Sequence, residues 1–316
     1  MHVCESGRQH RNVCVLIRKQ DKNCITPGAA PGVIWEIWEK EEYRAMNQSL
    51  VFKTEKVTGR ITRIYAFATE LMYLVEGTER AVLIDTGSGI GSLRACVEQL
   101  TDKPVVVLVT HGHVDHAMGA AEFDEVHMNH EDDYIYGEHG AAAFRRSSLS
   151  MITPPYEAGE EDLIPTMELS KIKDLKEGDR FELGGISVEI YACPGHTRGS
   201  VVMLIPEERL LITGDACNLF TFVYDDYSTT ITEYEESLKA LLEKVSGKYD
   251  NVLLSHGDGN GYPELIEDVI QVCEDIKAGR TDDVPFEFAG TTGLVAKTVD
   301  PSGRKRGNIV YSKDRV

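Results

Sequence analysis

Several things are scarce in this sequence, and each scarcity closes off a class of function. No apolar run among its 316 residues exceeds strand length, whereas a membrane-spanning helix needs about 20 such residues. The N-terminal stretch does not read as a secretory signal either, because Arg18, Lys19, Gln20 and Asp21 interrupt it. Positive charge is short: 33 Lys and Arg face 52 Asp and Glu, a formal net charge of −19. Nucleic-acid affinity comes largely from Lys and Arg neutralising phosphates, so no nucleic-acid partner is expected. The 7 cysteines contain no Cys-X-X-Cys pair, which argues against a structural zinc site. Their odd number fits a reducing, cytoplasmic setting.

A second carboxylate motif is also missing. Asp85-Thr86-Gly87-Ser88 reads like half of an aspartic-protease site, but such enzymes need two carboxylates sharing a proton. A protease would therefore need a homodimer and would leave the histidines unexplained. With 42% hydrophobic residues the chain can bury a large core. We expect one domain over residues 34–316, preceded by a peripheral or disordered extension, residues 1–33, that carries Cys4, Cys14 and Cys24.

What the chain does have is ligand-type side chains, densest in Thr110-His111-Gly112-His113-Val114-Asp115-His116-Ala117-Met118-Gly119. Val105-Val106-Val107-Leu108-Val109 before it is a continuous apolar run of the kind a buried strand shows. His111 and His113 alternate from the strand end, so both imidazoles can point to one side, while Asp115 and His116 open the next element. Open α/β sheets place their sites at such carboxyl ends. The spacing suits two metals side by side.

This cluster resembles the metallo-β-lactamase-fold hydrolase superfamily, whose hallmark is Thr-His-X-His-X-Asp-His followed by a glycine. Later ligands have counterparts in His196 of Cys193-Pro194-Gly195-His196-Thr197, Asp215 of Thr213-Gly214-Asp215, and His256 of Ser255-His256-Gly257. The resemblance spans roughly residues 60–260 and implies an αββα sandwich of two mixed β-sheets with outer helices. It implies that His111, His113 and His196 bind one metal, that Asp115, His116 and His256 bind a second, and that Asp215 bridges them. It also gives Asp85 a supporting role behind a ligating histidine. Imidazole with carboxylate suits two divalent ions, Zn²⁺ foremost, with Fe or Mn²⁺ as alternatives. Two such ions hold a bridging hydroxide that can attack at neutral pH.

The expected reaction is cleavage of a small ester, thioester or lactone, with Asp115 catalytic as a proton shuttle. True class B β-lactamases carry Cys where this chain has Asp215, which favours the hydroxyacylglutathione hydrolase and lactonase-like branch. A phosphodiesterase of the same fold, or a mononuclear iron enzyme like the persulfide dioxygenases, are the alternatives. The expected partner is a small-molecule substrate, with a homodimer left open. Substrate choice should come from a lid-like insertion near residues 130–170, where Arg145 and Arg146 can grip an acidic group, and from Asn218, three residues beyond Asp215. Tyr234, Leu238, Leu241, Leu242 and Val245 mark a helix with a capping box at Thr232 and Glu235. The chain is expected to end in one more helix after Pro263, then a hairpin of Leu294–Thr298 with Asn308–Tyr311, its turn tipped by Arg304-Lys305-Arg306.

Overall fold

Alternation along the central strands sends successive side chains to two different cores. The fold, taken from a computed structural model, is described for residues 52–316 except 69, 153, 154, 289 and 300–305. The N-terminal extension and most of the basic turn therefore lie outside the described residues. A first sheet runs β1 (Lys53–Lys56), β2 (Ile61–Tyr65), β3 (Leu71–Glu76), β4 (Ala81–Ile84), β5 (Val105–Leu108), β6 (Val126–Met128), β7 (Lys173–Asp174), neighbours in that order. It is antiparallel as far as β4 and parallel beyond. The second comprises β8 (Arg180–Glu182), β9 (Ser187–Ala192), β10 (Val201–Ile205), β11 (Leu210–Ile212) and β13 (Asn251–Leu253), in the order β13-β11-β10-β9-β8.

In β3, Leu71, Tyr73 and Val75 face the core between the sheets, where they meet Val201, Met203 and Ile205 of β10. Met72 and Leu74 face outward, onto α1 (Leu93–Leu100) through Leu93, Cys96 and Val97. Val202 and Leu204 face the opposite side, against α5 (Ile231–Val245) and α6 (Leu265–Lys277). Helix, sheet, sheet, helix is the expected αββα sandwich. β5 lies between two parallel neighbours and is buried on both faces, which is why it reads as an unbroken apolar run.

Two expectations need correcting. The box that starts α5 is Thr230 with Glu233, whose side chains each accept from the other's backbone N–H. Thr232 is exposed, and Glu235 turns inward to ion pairs with Lys239 and Lys277. The insertion near 130–170 holds two helices, α3 (Asp133–His139) and α4 (Ala142–Met151), after the short α2 (Val114–Ala117) that carries Asp115 and His116. The terminal hairpin pairs only at Leu294↔Tyr311 and Val295↔Val310, and belongs to a third sheet. That sheet runs β12 (Thr221–Val223), β16 (Ile309–Tyr311), β15 (Thr291–Val295), β14 (Val284–Phe288), with β12 parallel to β16. Here Phe222 packs on Phe286 and Phe288, at ring separations of 5.4 and 5.9 Å.

Candidate metal centre

The strand ends of both sheets deliver seven ligand-type side chains to one place. His111 and His113 leave the end of β5, and Asp115 and His116 sit on α2. His196 follows β9, Asp215 follows β11 and His256 follows β13. His111 Nε2 lies 3.1 Å from His113 Nδ1, which lies 2.9 Å from His196 Nε2. On the other side, Asp115 Oδ2 is 3.6 Å from both His116 Nε2 and His256 Nε2. Asp215 Oδ2 stands between the halves, 3.9 Å from His196 Nε2, 3.8 Å from His116 Nε2 and 3.1 Å from His256 Nε2. Ligands held tetrahedrally at about 2.0–2.1 Å from one zinc are separated by roughly 3.3 Å, so these spacings fit shared cations.

The tautomers point the same way. Thr110 Oγ1 lies 3.0 and 2.9 Å from the two Asp85 oxygens; a carboxylate only accepts, so the hydroxyl proton goes there. His111 Nδ1, 3.1 Å from the same hydroxyl, then donates to it. His196 Nδ1 donates to the Phe222 carbonyl at 2.7 Å, and His116 Nδ1 to Asp85 Oδ2 at 2.9 Å. Each Nε2 is thereby left to face the centre. That of His116 is buried with no hydrogen-bond partner. Convergent imidazole lone pairs around a buried carboxylate suit a cation and little else.

Electrostatics agree. Burial, then the neighbouring imidazoles, holds His111 well below its ordinary pKa, and His113 likewise, so both are neutral donors. Burial works against charge on His116 too, yet Asp115, Asp85 and Asp215 outweigh it and raise it to about 10. Burial opposes ionisation of Asp215, but His256, His116 and His196 pull it well below the usual carboxylate range. A metal would compete with a proton for the His116 lone pair.

Asp85 joins His116 Nδ1, at 2.9 Å, to the Thr110 N–H, at 2.7 Å, from a left-handed backbone with φ of 63°. The substrate residues fare differently. Arg145 is 2% exposed and donates to the carbonyls of Ile164, Ser88 and Gly89 at 2.5, 3.0 and 2.8 Å. It pins α4 to the loop after β4 and is closed to any ligand. Arg146 pairs at the surface with Glu160 at 3.3 Å. Asn218 is buried; its amide donates to Asp215 Oδ1 at 3.3 Å and its oxygen accepts the Phe220 N–H at 2.6 Å, so it orients Asp215 rather than a substrate.

Three residues escaped the sequence reading. Asp132 is fully buried, accepting from Gly112 and Gly199 N–H at 2.9 and 2.7 Å and from Thr197 Oγ1 at 2.7 Å. It ties the loop of His111 and His113 to the loop of His196, and a Cβ on Gly199 would lie 2.6 Å from its Cγ. His139 stacks between His113 and Phe144, at 5.0 and 4.1 Å, and burial lowers it to about 4. Glu70, just before β3, accepts from Ser88 N–H and Oγ at 3.0 and 3.1 Å, while its other oxygen is buried without a partner. None of the three stands in a motif; only distant chain contacts reveal them.

Two sheets, outer helices and convergent ligands at one edge define a class of metal-site αββα enzymes. Residues 68–256 match the metallo-beta-lactamase superfamily, and the chain belongs to it; the chain is a hydrolase of that superfamily. Human acyl-coenzyme A thioesterase MBLAC2 is 27% identical over 216 residues, covering 61% of this chain and 75% of that protein. Hydroxyacylglutathione hydrolase GloC of Haemophilus influenzae is 27% identical over 203 residues, covering 63% and 90%. Among solved structures, a metallo-beta-lactamase from Pontibacter korlensis superposes with a TM-score of 0.51 at 18% identity, over 71% of this chain and all of that one. The sec-alkylsulfatase Pisa1 from Pseudomonas sp. gives 0.55 at 16% identity, over 73% and 42%. These structures share the fold. Among the described residues no helix is long and apolar enough to cross a membrane.

Proposed function

We propose that this chain is a dinuclear, zinc-dependent thioester hydrolase. The observation that carries the reading is the position of Asp215 Oδ2 within 4 Å of histidines from both halves of the cluster. His111, His113 and His196 would hold one ion, Asp115, His116 and His256 the other, and Asp215 both. Bound there, the pair supplies a Lewis acid for the carbonyl and hydroxide at neutral pH.

The chain's own groups do the rest. Asp85 and Thr110 fix the imidazoles of His116 and His111 in the tautomers that face inward, and Asn218 turns the Asp215 carboxylate. Asp115, partly open to solvent, can receive a proton and pass it to the leaving thiolate. A thioester is favoured over other carbonyl substrates because two of the relatives are named for acyl-thioester cleavage. An apolar acyl group suits the exposed Phe144, whose ring stacks on His139 beside His113.

The test is a matched panel of thioesters, lactones, aryl esters and phosphodiesters offered to the zinc-loaded protein. Thioesters should turn over fastest. Asp115→Ala should lose at least about 100-fold in kcat, as loss of a general acid–base does, with the circular-dichroism spectrum unchanged. Cleavage of phosphodiesters alone would overturn the reading, and so would an active Asp115→Ala.

A further inference from the structure

Besides the tie that Asp132 makes to its loop, His196 is held at three points, all by one short stretch of chain. Its Nδ1 donates to the Phe222 carbonyl at 2.7 Å. Its own carbonyl lies 3.0 Å from Ser228 Oγ, and the carbonyl before it, on Gly195, accepts the Thr229 N–H at 2.9 Å. Asp215 leans on the same stretch, because Asn218, whose amide donates to Asp215, gives its backbone N–H to Thr221 Oγ1 at 3.0 Å. His111 and His116, by contrast, take their tautomers from Thr110 and Asp85, just beyond strands of the first sheet.

The stretch, residues 221–229, is anchored from beyond residue 256, where the family match ends. At its start Thr221, Phe222 and Val223 pair in parallel with Ile309, Val310 and Tyr311 of β16, and the Thr221 N–H donates to the Asn308 carbonyl at 3.0 Å. Near its end Arg315, in the short turn after β16, donates to the Ser228 carbonyl and lies 3.6 Å from Asp226. Asp226 is fully exposed, so that ion pair contributes little. The contact of Arg315 that reaches the site is the one to Ser228, whose hydroxyl meets the His196 carbonyl.

We propose that Arg315 is a positioning residue for His196: it fixes the Ser228 end of this stretch, as β16 fixes the Thr221 end, and so holds the imidazole where an ion shared with His111 and His113 requires it. Outer partners of this kind set the tautomer and direction of a ligating imidazole. Without Arg315, residues 225–229 lose their outer anchor and the His196 backbone loses its support, while the Asp85 and Thr110 contacts of the first sheet stay in place. The place of an ion there rests on the dinuclear reading above; the effect on the imidazole does not. A purely structural role would lower stability and leave the folded protein's histidines as they are.

Nitrogen NMR of full-length protein labelled with 15N-histidine, in chelator at pH 8 and well below the unfolding temperature, separates the two. In the wild type the ring shifts of His196, assigned through His196→Gln, should be those of the Nδ1–H tautomer. In Arg315→Ala they should move toward the mixed-tautomer values of a free imidazole, while those of His111 stay where they were. Arg315→Lys, which keeps a charged donor, should restore part of the shift. Lys313→Ala should match the wild type, because Lys313 sits in the same turn but pairs with Asp283, at 2.8 Å. Titration with Zn²⁺ should then show one ion bound about tenfold more weakly in Arg315→Ala, the lower end of what loss of an outer partner costs. His196 shifts unchanged in Arg315→Ala, or moved equally in Lys313→Ala, would overturn the assignment. Uptake of a single ion by the wild type would sink the dinuclear reading and leave the imidazole result standing; two ions held as firmly by Arg315→Ala as by the wild type would do the reverse.

Discussion

Glu70 shows how a single side chain can be energetically out of place for a reason. Burial first, and the nearby Asp115 second, raise its carboxyl from 4.5 to about 7. An unfolded chain gives up this proton near 4.5 while the folded one keeps it to about 7, so folding is favoured below 4.5 and loses stability as pH rises through 7. In metal-free protein the loss is of the order of 3 kcal/mol, at about 1.4 kcal/mol per pKa unit. Glu70→Gln keeps an oxygen for Ser88 and removes the titration. Urea unfolding in chelator at pH 5 and pH 8 should show wild type losing stability relative to Glu70→Gln over that interval; parallel curves would refute it. At this scale the sequence was legible where the side chains that converge stand in motifs, as at His111, His113, Asp115, His116, His196, Asp215 and His256. It was opaque where a role depends on burial. Arg145 looked able to grip a substrate because guanidinium suits carboxylate, yet a buried guanidinium whose terminal nitrogens donate to three carbonyls is a strut.

Among elements, β3, β5 and β10 could be read because both of their faces are buried, leaving long apolar signatures. β12 and β14 could not. β12 is three residues long and gains its partner, β16, only from the far end of the chain, while β14 is an edge strand with mostly exposed side chains. Periodicity carries no record of such non-local pairing. The start of α5 gives a direct check. Thr230→Ala should cost about 1 kcal/mol, the ordinary value of an N-cap, and exposed Thr232→Ala much less. Thermal unfolding of the two variants decides it, and the reverse order would restore the box at Thr232 and Glu235.

For the whole molecule, three apolar cores hold two sheets and their outer helices in one stack, and the ligand-type side chains gather where strand ends from both sheets meet. No single sheet carries the site: the end of β5 and α2 bring four of these side chains from one, and the loops after β9, β11 and β13 bring three from the other. Asp132 and Asp215 join those contributions, one through backbone amides and one through its place between the histidines. The site and the sandwich are thus assembled together, and the third sheet, three of whose four strands lie beyond residue 256 where the family match ends, adds an aromatic flank in which Phe222 of β12 meets Phe286 of β14. The most direct measurement is metal stoichiometry. Protein stripped by chelator and titrated with Zn²⁺, followed by calorimetry and elemental analysis, should take up two ions per chain, and Asp215→Ala should fail to hold both. One ion per chain, retained equally by wild type and Asp215→Ala, would contradict the two-metal centre.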